Sequence, residues 1–578
     1  MESRTEERSR WRRDAVFLVP LLTVVAALYA RALDVPWYQD DYNAIVWNPA
    51  CHSVRLALHG AIGPRGIAYL SFALDHAVFG GGPAGTHAVN VAIHLANCVL
   101  VYALLRRLVP EARSLAAAGA LLFGAHPLQT QAVDLAVQRM TILATFFFFA
   151  ALLLFFRARD LAAAGVALRA PKHLATYGAS LLLAAAAVLT KQNTIVFPAV
   201  FLVGDLLLGR AAPGAMRPRL RHLTPFFILA IALAIQQLLP RFTAGTTGHF
   251  LESAFEPSIV GFAGPGEPLR DPTPLRYFVT ELSVLWEYAR LVVVPWGQSI
   301  EHGYPLVAAY FTLRNVLAAL ATLVLAAIPL VVGRRLPALS FGIALVLLGL
   351  SVESSVIPLD TLVEHRMYLP MLGIVLVCLE GLRRVPSPKL QVAIVVAVLL
   401  PLAVLNWRRT DLWTRPVDFF EEALQTYPRN PRLWVSLSEA LRDRGDPLSG
   451  KTALGHALEL LPRYPAALEN LARVEEKEGN YLEAERLHRR AQSIDPDFGG
   501  ALRGLAANLL WQRRTQEALD AFAAAARKNP DDLRSLYYEA VLSAQLGDRA
   551  RAARVAAKIE AINPEMGELV DEMIGRRR

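Results

Sequence analysis

The chain has 578 residues, of which 54% are hydrophobic and only 19% charged, with a formal net charge of +9. Divided at residue 406, the first part holds 32 Lys+Arg and 23 Asp+Glu and the remainder 27 of each, so charge rises from about 14% to about 31% of residues against a usual value near 25%. A uniform soluble enzyme is excluded, and so is a nucleic-acid binder, because the charged tail is neutral and the excess positive charge lies in the apolar part. Cys51, Cys98 and Cys378 are too few for a disulfide framework and have no zinc-ligand spacing.

Apolar runs approach the roughly 20 residues that cross a bilayer as a helix. They predict spans near 15–33, 88–105, 114–127, 140–156, 174–190, 193–209, 223–240, 312–332, 338–356, 367–382 and 390–406. No small-residue cleavage site follows the first, which reads as a signal anchor. Short cytoplasmic loops accumulate Lys and Arg. With 21 such residues on the side of Arg4, Arg8, Arg10, Arg12 and Arg13 and 11 on the other, the N-terminus is expected inside. The inner clusters are Arg106/Arg107, Arg210 to Arg221, Arg334/Arg335 and Arg383/Arg384. Eleven spans then place the tail outside. Segment 276–297 carries Glu281, Glu287 and Arg290 at helical spacing and reads as a re-entrant or interfacial helix.

Ionisable residues are costly in a membrane domain unless paired or hydrated, so each is a functional hypothesis. Just past the first span lies Trp37-Tyr38-Gln39-Asp40-Asp41-Tyr42-Asn43. Adjacent acids repel, which raises one pKa and suits a general base, while neighbouring side chains point in different directions and need not share a job. Asp41 as a helix cap is the competing structural reading. In the second span His87, Asn90, His94 and Asn97 form one stripe, facing the bundle or a wet cavity. Arg139, Lys191 and the Glu364-His365-Arg366 run fall at outer ends of later spans. A cation in a short external loop opposes the inside bias, and a phosphate group is a reason to keep it there; snorkelling to lipid headgroups is the plainer explanation. His126, followed by Pro127, has no metal-ligand spacing. Two adjacent Asp could hold a divalent cation through water, but no third ligand is identifiable.

The tail repeats every 34 residues: Pro428, Pro462, Pro496, Pro530 and Pro564 keep the step, as do Ala423, Ala457, Ala491 and Ala525. Ala484, Ala518 and Ala552 keep it too, with Gly450 before them, and Gly445, Gly479 and Gly547 fall at the turns. This resembles tetratricopeptide repeats, four units plus a leading helix 411–427, stacked as an α-solenoid whose concave face binds peptides or partner proteins.

Taken in order, Asp40-Asp41, GTHAVNVAIHLANCVLVYALLRRL, LLFGAHPLQTQAVDLAVQRMTILA, LTKQN, PWGQSIEH and SSVIPLDTLVEHRMYLPMLG, followed by the repeats, resemble the transmembrane and tetratricopeptide-repeat-containing protein O-mannosyltransferases, multispanning C-fold glycosyltransferases. The resemblance implies an all-α chain: a membrane bundle of about eleven spans over 1–406, then repeats over 407–578. It also implies transfer of a sugar, with mannose common in the family, from a polyprenyl-phosphate carrier to a hydroxyl, expected on protein Ser/Thr, at the outer face. Asp40 or Asp41 would take the acceptor's proton as it attacks with inversion. Arg139, Lys191 and Arg366 would neutralise the lipid phosphate, and His94, His126, Glu364 and His365 would complete the substrate cavity. The expected setting is a bacterial inner membrane, with the repeats outside binding the acceptor or a partner. The rival reading is a non-enzymatic, membrane-anchored repeat scaffold for envelope assembly, although an anchor needs only one span.

Overall fold

A computed structural model describes residues 2–109, 113–209, 216–243, 273–333, 335–496, 498–530 and 532–575. Arg210 and Arg334 of the counted basic clusters lie outside them. The described residues are helical with no strand and divide into two compact units meeting at Arg415 and Pro416.

In the first unit the helices are α1 (Glu2–Leu28), α2 (Val54–His59), α3 (Gly66–Phe79), α4 (Pro83–Leu108), α5 (Arg113–Ala125), α6 (Thr130–Asp134), α7 (Arg139–Ala163), α8 (Pro171–Thr190), α9 (Phe197–Leu208) and α10 (Met216–Thr243), followed by α11 (Pro274–Val293), α12 (Leu313–Val332), α13 (Pro337–Leu350), α14 (Met371–Leu382) and α15 (Pro388–Trp413). Seven stretches are long and apolar enough to cross a membrane, among them those of α4, α7, α12 and α15, which makes this a multi-pass membrane protein. Four of the expected spans fall on shorter apolar helices, α5, α9, α13 and α14. The segment expected to lie at the interface is α11. It is not among the seven, and it buries Tyr277, Thr280, Glu281, Val284, Tyr288 and Leu291 on one face.

Packing inside this unit follows side-chain size. The aromatic run of α7 forms a knot in which the Phe155 ring stacks on Phe201 of α9 with centroids 4.9 Å apart and meets Phe226 of α10 edge-on at 5.6 Å. Between α13 and α14 the backbones touch: a Cβ on Gly373 would come within 2.3 Å of the Gly342 carbonyl oxygen. Lipid tails give apolar helices no reason to associate, so such small-residue contacts hold membrane bundles together.

One end of the bundle is joined by ion pairs. Asp14 accepts from Arg113 at 2.8 Å and from Tyr102 at 2.8 Å, Arg107 pairs with Asp160 at 2.8 Å, and Arg159 with buried Asp205 at 2.8 Å. Glu380 holds Arg384 at 2.6 Å. The opposite end, where α1 and α5 finish and α7 begins, carries the loops with the candidate residues.

The second unit is four helical pairs, α17/α18 (Pro431–Asp443, Pro447–Leu460), α19/α20 (Pro465–Lys477, Tyr481–Ile494), α21/α22 (Gly499–Trp511, Thr515–Lys528) and α23/α24 (Leu533–Gln545, Arg549–Ile562), led by α16 (Pro416–Thr426) and closed by α25 (Pro564–Met573). The leading helix starts at Pro416 and not at 411, because α15 continues through residue 406 to Trp413. Ala457, Ala484, Ala491 and Ala518 are fully buried where helices cross. Gly445, Gly479 and Gly547 turn the pairs with φ of 90°, 83° and 88°, a conformation open to glycine without a Cβ clash. In the third pair that place is filled by Arg513, at φ 62°.

Candidate functional site

The acid loop begins where a 3-10 turn, Ala30–Asp34, ends α1. At Gln39 φ is +30°, a left-handed backbone that costs a non-glycine residue about 1–2 kcal/mol and that persists only where surrounding contacts enforce it. Immediately after it the two carboxylates part. Asp41 is fully buried; its Oδ2 accepts the Tyr38 N–H at 2.9 Å and its Oδ1 accepts the Val137 N–H at 2.7 Å. Burial pushes its pKa up to about 7, against the pull of those two N–H groups. Asp40 is exposed. The pair thus supplies one anchor and one solvent-facing acid. Among the described residues no three His, Cys, Asp or Glu converge as a metal site.

The anchor fixes the loop on the start of α7, and the same turn holds Lys191. Lys191 ends α8 in extended conformation, and its ammonium donates to Thr141 Oγ1 at 3.0 Å and pairs with Glu353 at 3.3 Å. Val137 lies on the 3-10 turn Ala136–Gln138 that leads into α7, four residues before Thr141, so the acid loop and this lysine are fastened to the same helix start. Burial lowers the lysine's pKa. Burial alone would raise that of Glu353, but Lys191 and Arg366 outweigh it and hold the carboxyl below its ordinary value.

Glu364, His365 and Arg366 lie on a 3-10 turn, Glu364–Met367. Its position is set by Gln131 of α6, whose Oε1 accepts the His365 N–H at 2.8 Å. Burial, with Lys191, Arg366 and Arg65 nearby, holds the His365 ring neutral, well below its ordinary pKa, and its Nδ1 has no hydrogen-bond partner. Arg366 is buried, donating to the Thr361 carbonyl at 3.1 Å and the Tyr277 hydroxyl at 3.4 Å. Arg65, which the sequence reading passed over, is exposed before α3 in left-handed backbone, φ 60°, and its charge reaches both Lys191 and His365. Lys191 and Arg366 therefore act on Glu353, while Arg65 acts on Lys191 and on the neutral His365.

Other expected residues are placed differently. Arg139 is not a lone cation: it is fully buried, pairs with Asp75 of α3, donates to Asn90 Oδ1 at 2.7 Å and the Thr86 carbonyl at 2.6 Å, and lies 4.6 Å over the Phe72 ring. Its counter-ion within the protein is Asp75. His94 is a bolt between helices, accepting from the Tyr368 hydroxyl at 2.7 Å and donating to the Gly124 carbonyl at 3.1 Å. Those two bonds require the tautomer with the proton on Nε2. His126 caps its own turn, its Nδ1 accepting the Leu128 N–H at 3.2 Å while its Nε2 donates to the Val292 carbonyl at 3.0 Å. Glu364 ties down the 298–302 loop through Gln298 at 2.7 Å, the Ser299 N–H at 2.7 Å and His302 at 2.9 Å. These three buried groups are each met by protein partners.

This arrangement can be set beside known proteins. Protein O-mannosyl-transferase TMTC1 of Homo sapiens is 27% identical over 493 residues, covering 77% of this chain and 55% of its own length. The chain is a homologue of these proteins. TMTC1 of Mus musculus is 25% identical over 580 residues, covering 80% of this chain and 61% of its own. Tmtc2 of Drosophila melanogaster is 32% identical over 175 residues, 30% of this chain and 18% of that one. The chain thus spans just over half the length of the TMTC1 relatives it matches. No family model matches. Among solved structures, MamA is 16% identical over 26% of this chain and 83% of its own, with a TM-score of 0.23, and YrrB, described as a TPR protein with an unusual peptide-binding site, is 18% identical over 33% and 96%, also at 0.23.

Proposed function

We propose that this homologue of the protein O-mannosyl-transferases is itself a membrane glycosyltransferase, moving a sugar, mannose by analogy with its relatives' names, from a polyprenyl-phosphate carrier to a protein hydroxyl on the extracytoplasmic face. Asp40 is the general base. As the acceptor oxygen attacks the anomeric carbon, its proton passes to the Asp40 carboxylate, the bond from that carbon to the phosphate oxygen breaks with its electron pair, and the configuration inverts. Arg65 and Lys191 face the phosphate as its charge grows, His365 contributes a neutral hydrogen bond, and Arg366 adds positive potential from behind. Such fixed charge is worth most in a poorly hydrated site. The repeats present or select the acceptor. The observation that carries this reading is the single solvent-facing acid built on the same helix end as the cation cluster.

The test compares glycosylated surface and periplasmic molecules by mass spectrometry in three strains: one lacking the gene, one complemented with the native form, and one with Asp40→Asn. A sugar lost in the deletion, restored by the native form and absent with Asp40→Asn is expected, a loss of about 10²-fold or more in transfer. Full restoration by Asp40→Asn would overturn the base assignment and favour the repeat scaffold. That scaffold has its own check: repeats tethered by an unrelated single span would then restore the phenotype.

A further inference from the structure

Tyr38 joins the acid loop to the far end of the membrane unit's sequence. Its hydroxyl donates to the main-chain carbonyl of Trp413 at 2.7 Å, and its ring meets that indole edge-on with centroids 5.0 Å apart. Its N–H is the one that holds Asp41. The acceptor is available because the last four carbonyls of a helix have no intrahelical donor, and Trp413 is the final residue of α15.

The same stretch of α15 reaches inward at further points. Asn406 donates to the Tyr29 hydroxyl at 2.9 Å, the Thr410 hydroxyl donates to Asp134 at 2.9 Å, and the Arg409 charge acts on Tyr38, Asp134 and Glu364. Along α15 the buried residues are Leu402, Asn406, Arg409, Thr410, Leu412 and Trp413, and none precedes Leu402. The N-terminal half therefore meets the bundle hardly at all, and the C-terminal half is fastened to it by polar groups. Crossing a bilayer requires no such division.

We propose that Leu402–Trp413 is a positioning strap for the acid loop, with Tyr38 and Trp413 the positioning residues that set where Asp40 stands. The chain of contacts is short: Trp413 carbonyl to Tyr38 hydroxyl, Tyr38 N–H to Asp41, and Asp41 to the Val137 N–H at the start of α7. Losing the first contact frees the loop at its outer attachment while leaving the inner one. The strap does not depend on the reaction proposed above; its effect on rate rests on that reading.

Two readouts separate the two claims. In the full chain carrying Cys378→Ser, which removes the exposed cysteine and leaves the buried Cys51 and Cys98, Asp40→Cys is labelled with a membrane-impermeant maleimide. Adding Tyr38→Phe is expected to change the labelling rate by about threefold or more, since thiol reactivity follows exposure and local environment. Tyr102→Phe, which removes a tyrosine hydroxyl bond at the other end of the bundle, is expected to leave it unchanged. An unaltered rate with Tyr38→Phe, or an equal change with Tyr102→Phe, overturns the strap. Should Tyr38→Phe not reach the membrane, Thr410→Val is read in the same way. In transfer assays Tyr38→Phe without the Asp40 change is expected to lower kcat about tenfold with the donor KM unmoved. If Asp40→Asn is inactive and Tyr38→Phe matches the native form in both assays, the strap falls and the function stands. If Asp40→Asn is fully active while labelling responds to Tyr38, the function falls and the strap stands.

Discussion

Asp41 binds its proton more tightly in the folded loop than in the unfolded chain, because burial opposes its charge and lifts its pKa from 3.8 to about 7. A folded state that holds more protons than the unfolded one loses stability as pH rises. The loss runs from 3.8 to about 7 and levels off above. Asp41→Asn removes the ionisation and keeps one acceptor oxygen, at the cost of one hydrogen bond, about 1 kcal/mol. The thermal midpoint of the detergent-purified variant is therefore expected to vary less across about pH 4 to 7 than that of the native protein, and transfer to survive within about tenfold, unlike Asp40→Asn. An unchanged pH slope would show that the slope arises elsewhere. The two acids were legible as a pair in the sequence, but their division of labour was not. It depends on the Val137 N–H, 96 positions away. The partner of Arg139 was hidden for a related reason: its counter-ion Asp75 lies in α3, a stretch between the first two predicted spans in which no helix was expected. Arg65 escaped notice because it stands in that same stretch, outside every motif.

At the level of the element, the repeat turns offer a clean comparison. Three use glycine in left-handed backbone, and the fourth, Arg513, bears a Cβ there at φ 62°. Arg513→Gly is expected to stabilise the unit by about 0.5–1 kcal/mol, the relieved left-handed cost less the extra freedom of unfolded glycine, seen as a higher thermal midpoint. Ala518→Leu acts oppositely. Its site is fully buried between α21 and α22, and extra methylenes there cost about 1–3 kcal/mol. The 34-residue period announced both positions, since each repeat meets its neighbours in the same way. Membrane helices carry no such period. Hydropathy located their apolar stretches, yet it passed over α3, which is apolar but only 14 residues long, and the continuation of α15 past residue 406, because a polar, packed helix end has the composition of a loop.

For the whole molecule, composition and contacts mark nearly the same division. The charge-rich part begins near 407, and the second compact unit at Pro416. Residues 416–578 expressed alone are expected to be soluble and helical, and to unfold cooperatively in denaturant, because each pair buries its apolar face on its neighbours. Aggregation, or a helical signal that melts without a transition, would show that the unit needs the membrane part. The first unit has a mechanical polarity of its own. At one end arginines and acids link α1 to α5, α4 to α7 and α7 to α9, the last pair buried. At the other end loops and helix ends are fastened by Asp41, Lys191 and Gln131. On the proposed function, the lipid carrier is met at this end, where Asp40 and Lys191 stand, and not at the ion-paired base.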